Sequence, residues 1–267
     1  MRRIVSILAF AAVLLAVSSC DKIDDPHKPY TPTGGGKTVL IKDFTGVRCN
    51  NCPAAAETAH ELQHSLGEDR VFIMSVHAGF LAMPTAGFED FRTEEGTAWY
   101  GQNNANPLFS VDHVALTEGN TLNETQLDKP VVDALAEPQM FDVVITNDYD
   151  ESTRQLKVES KLTATGDYSG DLYVTVCLLE DSIIGRQVIP EGVDTAYVFR
   201  NVFRGTLNGA DGDAFAQGQV YANDDYTKNY TTELESKYNA DQCYILTYVS
   251  DKNLGGKILQ TTMKKIK

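Results

Sequence analysis

Residues 44–53 read Phe-Thr-Gly-Val-Arg-Cys-Asn-Asn-Cys-Pro and place Cys49 and Cys52 in a Cys-x-x-Cys spacing. An apolar run precedes this stretch at residues 38–41, and a segment with helical spacing of its apolar residues follows at 53–66. The sequence therefore predicts a strand, a tight turn and a helix, with the two cysteines at the start of the helix. Unpaired backbone N–H groups and the helix dipole stabilise a thiolate there and lower its pKa. We expect Cys49 to be the attacking thiol and Cys52 to resolve the mixed disulfide.

The same stretch resembles the thioredoxin family, and the resemblance covers roughly residues 36–137. Asp43 precedes Cys49 by six residues, and the resemblance implies that its carboxyl group is buried beneath the cysteines and accepts a proton. Thr-Ala-Trp-Tyr-Gly at 97–101, followed by Pro107, resembles the family's approach to a cis-proline that packs against the disulfide. This sequence has Asn-Asn between the cysteines where the family has Gly-Pro.

The order of predicted elements in the first half also fits that family. We expect buried strands at 38–45 and 71–76 around the helix at 53–66, because apolar runs alternate with a helical pattern. Trp99 is expected on a short helix. The segments 108–111 and 114–116 are expected to form an antiparallel pair, and 130–136 is expected to form a closing helix.

The pattern changes near residue 137. Short strand-like segments separated by Gly, Asn and Asp are typical of a β-sandwich. The predicted strands are 141–146, 155–163, 172–179, 198–207, 219–221, 243–249 and 258–263. The predicted fold class is therefore α/β plus all-β. A thioredoxin-like domain at 37–137 would be followed by an immunoglobulin-like β-sandwich domain at 138–267.

Composition excludes two classes of protein. Of the 267 residues, 42% are apolar, which is too many for a disordered chain. The formal net charge is −14, so the chain offers no basic surface for phosphates, and we expect no nucleic-acid partner.

The N-terminus carries a targeting segment. Arg2 and Arg3 precede a short apolar stretch that ends in Val-Ser-Ser-Cys at 17–20. This ending resembles the lipobox of bacterial lipoproteins, which implies that residues 1–19 are a signal peptide and that Cys20 carries acyl chains such as palmitate. The chain would then be held to a membrane through this lipid. Residues 20–36, rich in Pro and Gly, are expected to be a flexible tether. Their acidic cluster is either a surface-export signal or a plain solvated linker.

Together, the lipobox, the Phe-Thr-Gly lead-in to Cys-x-x-Cys-Pro and the β-rich second half resemble one family. It is the twenty-eight-kilodalton outer-membrane lipoprotein family of Gram-negative bacteria. Arg-Asn-Val-Phe-Arg-Gly at 200–205 also resembles a strand of that family's second domain. The resemblance implies an outer-membrane location, on the periplasmic or the cell-surface face.

Three functions compete. The first is thiol–disulfide exchange on envelope proteins. The second keeps Cys49–Cys52 as a structural disulfide in a non-catalytic binding lipoprotein. The third is a zinc peptidase, because residues 60–64 match His-Glu-x-x-His. Arg70 stands where a third histidine is expected, so a solvated helix face explains this match better.

We expect no cofactor and no metal. The remaining cysteines, Cys177 and Cys243, lie in strand-like segments. They are expected to be buried thiols, although a disulfide between them is the alternative.

Overall fold

The computed structural model describes residues 36–267. The predicted signal peptide, Cys20 and the tether up to residue 35 lie outside the described residues. The first half contains β1 (Val39–Thr45), α1 (Cys52–Leu66), β2 (Val71–His77), α2 (Glu94–Tyr100), β3 (Leu108–Val111) and α3 (Asp128–Leu135). Strand β1 pairs parallel with β2 and antiparallel with β3. The predicted strand, helix and strand around the cysteine pair are confirmed, as are the helices at Trp99 and near 130–136.

Alternating residues of β1 and β2 reach opposite faces of the sheet. Val39 and Ile41 pack with α1 and α3, whereas Leu40 and Phe44 pack with Trp99 of α2. Both faces are covered, so the strands are continuous buried runs.

Local signals place the ends of two helices. Pro53 stands in the first turn of α1, where no N–H donor is needed. Gly67 ends that helix with φ 108°, and its N–H donates to the carbonyl of Gln63 at 2.9 Å. Thr93 begins α2 by accepting a hydrogen bond from the N–H of Gly96 at 2.9 Å.

The second half is built of strands. They are β4 (Phe141–Asp150), β5 (Gln155–Ala164), β6 (Tyr168–Glu180), β7 (Ile183–Ile189), β8 (Gly192–Phe199), β9 (Val202–Thr206), β10 (Asp213–Val220), β11 (Asp225–Glu233), β12 (Cys243–Asp251) and β13 (Lys257–Lys265).

Strands of both halves join in one eight-stranded sheet. Its order is β13-β12-β6-β9-β2-β1-β3, with β10 paired to β6. A three-stranded sheet, β11-β5-β4, packs on the β6–β12–β13 part, and apolar side chains from both sheets form the core between them. The chain is thus mostly β with several sheets and a few helices. None of the helices within residues 36–267 is long and apolar enough to cross a membrane.

Three strand predictions are wrong. Residues 114–116 are not a strand, because the N–H of Val114 donates to Gly256 and that of Leu116 donates to Trp99. The predicted strand at 198–207 is divided between β8 and β9, because Asn201 adopts φ 47° in the left-handed region. The strand predicted at 219–221 overlaps only the end of β10. Strands β7 and β11 were not predicted.

Cys177 on β6 and Cys243 at the start of β12 are buried free thiols. This confirms the expectation of two apolar cysteines within the sheet rather than a disulfide between them.

Candidate functional site

Cys49 and Cys52 form a disulfide, with an S–S distance of 2.13 Å and a Cα–Cα distance of 5.4 Å. Helix α1 begins at Cys52, so Cys52 holds the first helical position. Cys49 lies in the preceding turn, where its N–H donates to the carbonyl of Gly46 at 2.9 Å. The prediction that Cys49 lies at the start of the helix is therefore wrong, because Cys49 precedes the helix by one turn.

Both cysteines are buried, with exposed fractions of 1% for Cys49 and 2% for Cys52. Part of the cover comes from the second half of the chain. The β7–β8 hairpin, residues 183–199, packs on the turn that contains Cys49, and the N–H of Val188 donates to the carbonyl of Val47 at 2.9 Å. In this conformation almost none of the surface of either cysteine is open to an approaching thiol.

Gln187 of β7 makes the side-chain hydrogen bonds of the hairpin with this turn. Its side-chain amide nitrogen lies 2.9 Å from the carbonyl oxygen of Cys49 and 3.3 Å from that of Gly46. The same nitrogen also donates to the carbonyl of Val188 at 3.0 Å. Gln187 is itself buried, so the backbone of the disulfide turn is satisfied by a side chain from a distant strand.

Asp43 lies on β1 and is 1% exposed. Its Oδ1 atom has no hydrogen-bond partner among residues 36–267. Burial raises the pKa of this carboxyl group to about 7, because the low-dielectric surroundings disfavour the charged form. A carboxyl group with that pKa gains or loses a proton near neutral pH, which suits general acid–base work.

A cleft of about 210 Å³ connects Asp43 with Cys52. Helix α1 forms one wall, and residues 197–200 at the end of β8 form the other. The parallel register of β1 and β2 pairs Asp43 with Ser75 and Thr45 with His77, and all four residues line this cleft. The arrangement brings a buried acid and one cysteine of the pair to the same polar space.

His77 is the second buried titratable group of the cleft. It is 2% exposed, and neither ring nitrogen finds a hydrogen-bond partner in the described part of the chain. Its ring lies edge-on to Phe91 at 4.8 Å and to Phe199 at 5.7 Å between centroids. Burial lowers its pKa to about 3, and the positive charge of Arg204 adds to this against the opposing charge of Asp90. His77 is therefore a neutral imidazole.

Pro107 lies on the other side of the disulfide turn. The bond between Asn106 and Pro107 is cis, and Asn106 donates from its side-chain nitrogen to the carbonyl of Phe44 at 2.9 Å. Pro107 lines a second cleft together with Asn50, Asn51 and Pro190. The predicted site residues thus surround the disulfide, but Asp43 and Pro107 face different clefts.

The His-Glu-x-x-His segment lies on an outward surface of α1. Glu61 and His64 are exposed, and His60 is half-buried with its Nδ1 atom 3.2 Å from the Gln63 side-chain oxygen. Between residues 36 and 267 no three His, Cys, Asp or Glu side chains are grouped so that they could hold a metal ion.

Sequence reasoning missed the contribution of the β7–β8 hairpin. Gln187, Tyr197, Phe199 and Arg200 line the cleft beside Cys52, yet they follow it by more than 130 residues. The local signal was the turn Pro-Glu-Gly at 190–192 between two short segments with β-branched residues.

Comparisons with known proteins bear on the second half most directly. The model of a family described as outer membrane protein Omp28 matches residues 103–267. The matched range includes Pro107 and all strands from β4 onward, and it begins after Cys52. A search of curated proteins found no match.

Among solved structures, HBP35 of Porphyromonas gingivalis is similar with a TM-score of 0.66 at 14% identity, over 88% of this chain and 77% of that one. This likeness concerns the fold. A domain of the outer membrane lipoprotein Omp28 from Porphyromonas gingivalis matches at 23% identity over 48% of this chain and 88% of that one, with a TM-score of 0.34.

Proposed function

The chain belongs to the Omp28 family of outer membrane proteins, and on that premise we propose that it exchanges thiols and disulfides with envelope proteins. The pair Cys49 and Cys52 would carry the reaction, with Asp43 and Pro107 shaping the site. One observation supports this most: the disulfide lies at the start of α1, and buried Asp43 shares a cleft with Cys52.

In the oxidised state, the exchange begins with a client thiolate that attacks the sulfur of Cys49. The Cys49–Cys52 bond breaks, a mixed disulfide forms, and Cys52 leaves as a thiolate that takes a proton from Asp43. A second client thiol then gives its proton to the Asp43 carboxylate and attacks the client sulfur of the mixed disulfide. The client gains a disulfide, and the pair is left reduced, with Cys49 released as a thiolate and Cys52 as a thiol.

The role of each cysteine is tested by trapping. In the reverse direction the reduced Cys49 thiolate attacks a client disulfide and Cys52 resolves the mixed disulfide, so Cys52→Ala should accumulate mixed disulfides with envelope proteins that are visible on non-reducing gels. Cys49→Ala should trap none. Cys177→Ala is the matched control, because that thiol is fully buried away from the site. Equal and negligible trapping by both site variants would contradict an exchange function.

A second function is favoured by the burial of both sulfurs. In that case Cys49–Cys52 is a structural disulfide, and the protein binds a partner at the cell envelope without catalysis. The reduction potential separates the two functions. A structural disulfide should lie below about −300 mV, whereas a catalytic one should lie above that value.

We also propose that residues 37–137 form a thioredoxin-like unit and residues 138–267 an immunoglobulin-like β-sandwich unit. The parallel β1–α1–β2 unit supports the first assignment. The packing of β11-β5-β4 on the β6–β12–β13 part of the large sheet supports the second.

The membrane attachment is proposed to run through a lipid on Cys20. More than one acyl chain is needed for stable anchoring, since each buried CH₂ contributes about 0.8 kcal/mol. Cys20→Ala should move the protein from the membrane fraction to the soluble fraction of the envelope. Retention of the variant in the membrane fraction at the level of the original chain would contradict the anchor.

A further inference from the structure

We propose that the β7–β8 hairpin is a movable cap over the Cys49–Cys52 disulfide and that Gln187 is its latch. The inference concerns access to the sulfurs, and its biological meaning rests on the exchange function proposed above. In the closed conformation the sulfurs are shielded, so a protein client reacts only after the hairpin has moved.

The hairpin stands apart from the other sheets. Strands β7 and β8 pair with each other and form a two-stranded sheet of their own. An isolated two-stranded hairpin is marginally stable in water. Its position therefore depends on the contacts that it makes with the rest of the chain, including the disulfide turn.

The contacts near the tip of the hairpin are polar, whereas the apolar contacts lie at its base, where Phe199 packs in a cluster with Val47 and Phe91. Gln187 and Phe199 are the buried strand residues of the hairpin. Gln187 contacts the turn by hydrogen bonds to backbone carbonyls, and Val188 adds one more to Val47. A net contribution of roughly 1 kcal/mol for each hydrogen bond is small enough for reversible opening.

Open space lies on both sides of the hairpin. The cleft of about 210 Å³ separates its base from α1, and a second cleft lies where Pro190 at its tip faces Asn51. The outward side chains of the cross-strand pair Ile184 and Val198 are exposed. Residues 87–89 also contact β7, where the Arg186 guanidinium lies 5.9 Å from the centre of the Phe88 ring.

Residues with positive φ lie at both ends of the hairpin and could act as its pivots. Ser182 precedes β7 with φ 57°, and Asn201 follows β8 with φ 47°. The base is held by the N–H of Asn201, which donates to the Asp181 side chain at 3.1 Å, and by Phe199 against Phe91 at 4.9 Å. A fixed base and a polar tip contact allow the tip to swing about its two ends.

The test compares Gln187→Ala and Gln187→Glu with the original chain. The measured quantity is the rate at which tris(2-carboxyethyl)phosphine, which reduces disulfides at both pH 4 and pH 8, reduces Cys49–Cys52, followed by alkylation of the released thiols. Loss of the latch should raise this rate about tenfold, the factor expected when one or two hydrogen bonds are removed. Gln187→Glu should raise the reduction rate more at pH 8 than at pH 4. At pH 8 the introduced side chain is a carboxylate, which would repel the carbonyl oxygens of Cys49 and Gly46.

Gln219→Ala is the matched control. Gln219 is an exposed strand glutamine whose side-chain amide also donates to a backbone carbonyl, that of Val220 at 2.8 Å. Its loss should leave the reduction rate unchanged. Equal rates for the original chain and both Gln187 variants would overturn the cap.

Hydrogen exchange on the unaltered protein gives a second test that needs no variant. The amide of Val188 donates to Val47 across the cap contact, so it should exchange at least tenfold faster than the amides of β1. Protection of Val188 equal to that of β1 would show that the hairpin opens only with global unfolding, and would overturn the proposal.

The outcome separates the cap from the exchange function. Faster reduction in Gln187→Ala without any client trapped by Cys52→Ala supports the cap and contradicts the exchange. Client trapping that is unaffected by Gln187→Ala in the Cys52→Ala background supports the exchange and contradicts the cap.

Discussion

Ser75 of β2 and Val202 of β9 are paired in parallel, and the N–H of Ser75 donates to the carbonyl of Asn201 at 2.9 Å. This contact joins the two halves of the chain in one sheet. Around it, Trp99 of α2 packs on Phe203 of β9 at 4.9 Å between ring centroids. The two halves therefore share a core as well as a sheet.

We expect the two halves to unfold together because of this shared sheet. In urea, fluorescence of Trp99, the single tryptophan, should report the same midpoint as far-UV circular dichroism, which is dominated by the strands of the second half. Residues 36–137 expressed alone would expose one edge of β2 and should not show a cooperative transition. Two well-separated midpoints in the whole chain would contradict a single folding unit.

The pH dependence of stability should carry the signature of Asp43. Its folded-state pKa of about 7 lies above its ordinary value of 3.8. The contribution of neutral Asp43 to the free energy of unfolding is therefore fully present below about pH 4 and is lost as the pH rises through 7. Asp43→Asn should be the more stable chain at pH 8, by about 4 kcal/mol at most, and this advantage should vanish near pH 4. Denaturant unfolding at several pH values measures the difference.

Asp142→Asn is the control for that experiment, because Asp142 is an exposed strand residue. It should leave the pH profile unchanged. If Asp43→Asn and the original chain keep parallel profiles between pH 4 and 8, Asp43 titrates normally and is not an acceptor near neutral pH.

Lys42 should titrate near neutral pH in the folded protein. It is fully buried, its ammonium nitrogen lies 3.7 Å from the centre of the Trp99 ring, and it donates to the carbonyl of Val114 at 2.7 Å. Burial lowers its pKa to about 7. Because the unfolded chain keeps the ordinary value of 10.5, stability should rise between pH 7 and 10.5.

The fluorescence of Trp99 measures this titration, because loss of the adjacent positive charge changes the emission of the indole. Its midpoint should lie near pH 7 in the original chain and be absent in Lys42→Met. Asp43→Asn should keep it, since Asp43 projects to the opposite face of β1. A flat emission profile between pH 6 and 9 in the original chain would refute the lowered pKa.

Removing one partner of the buried ion pair between Lys37 and Asp112 should strongly lower the free energy of unfolding. The two charged groups lie 2.5 Å apart and are nearly inaccessible, and Asp112 also accepts from the N–H of Leu40 at 2.8 Å. Asp112→Asn leaves a buried ammonium without its counter-charge, which costs about 3–5 kcal/mol. The double variant with Lys37→Met should recover part of this loss in denaturant unfolding. Additive losses in the cycle would show that the pair is not coupled.

The sequence allowed the first half to be predicted well, because its signals are local. The apolar runs of β1 and β2 reflect strands that are buried on both faces. The spacing of Ala55, Ala59 and Leu66 shows one face of α1. Burial of Asp43 followed from the resemblance around the cysteine pair.

The remainder depends on contacts between distant residues. Only Gln187 and Phe199 are fully buried in β7 and β8, so neither strand has the alternating apolar pattern of a core strand. Pairing of β9 with β2 joins Val202 to Ser75 across more than 120 residues. No local pattern encodes that partner, and the same holds for Gln187 and the carbonyl of Cys49.

Because Cys177 and Cys243 are buried, the number of reactive thiols in the folded protein reports the redox state of Cys49 and Cys52 alone. Both thiols are fully buried, and burial raises each pKa to about 12, so neither supplies a thiolate at neutral pH. In the folded segment 36–267, a reagent that consumes thiolates can register only Cys49 and Cys52. Without a bound client, the native thiol titre of that segment is therefore zero or two, and each change from one to the other records the transfer of one electron pair.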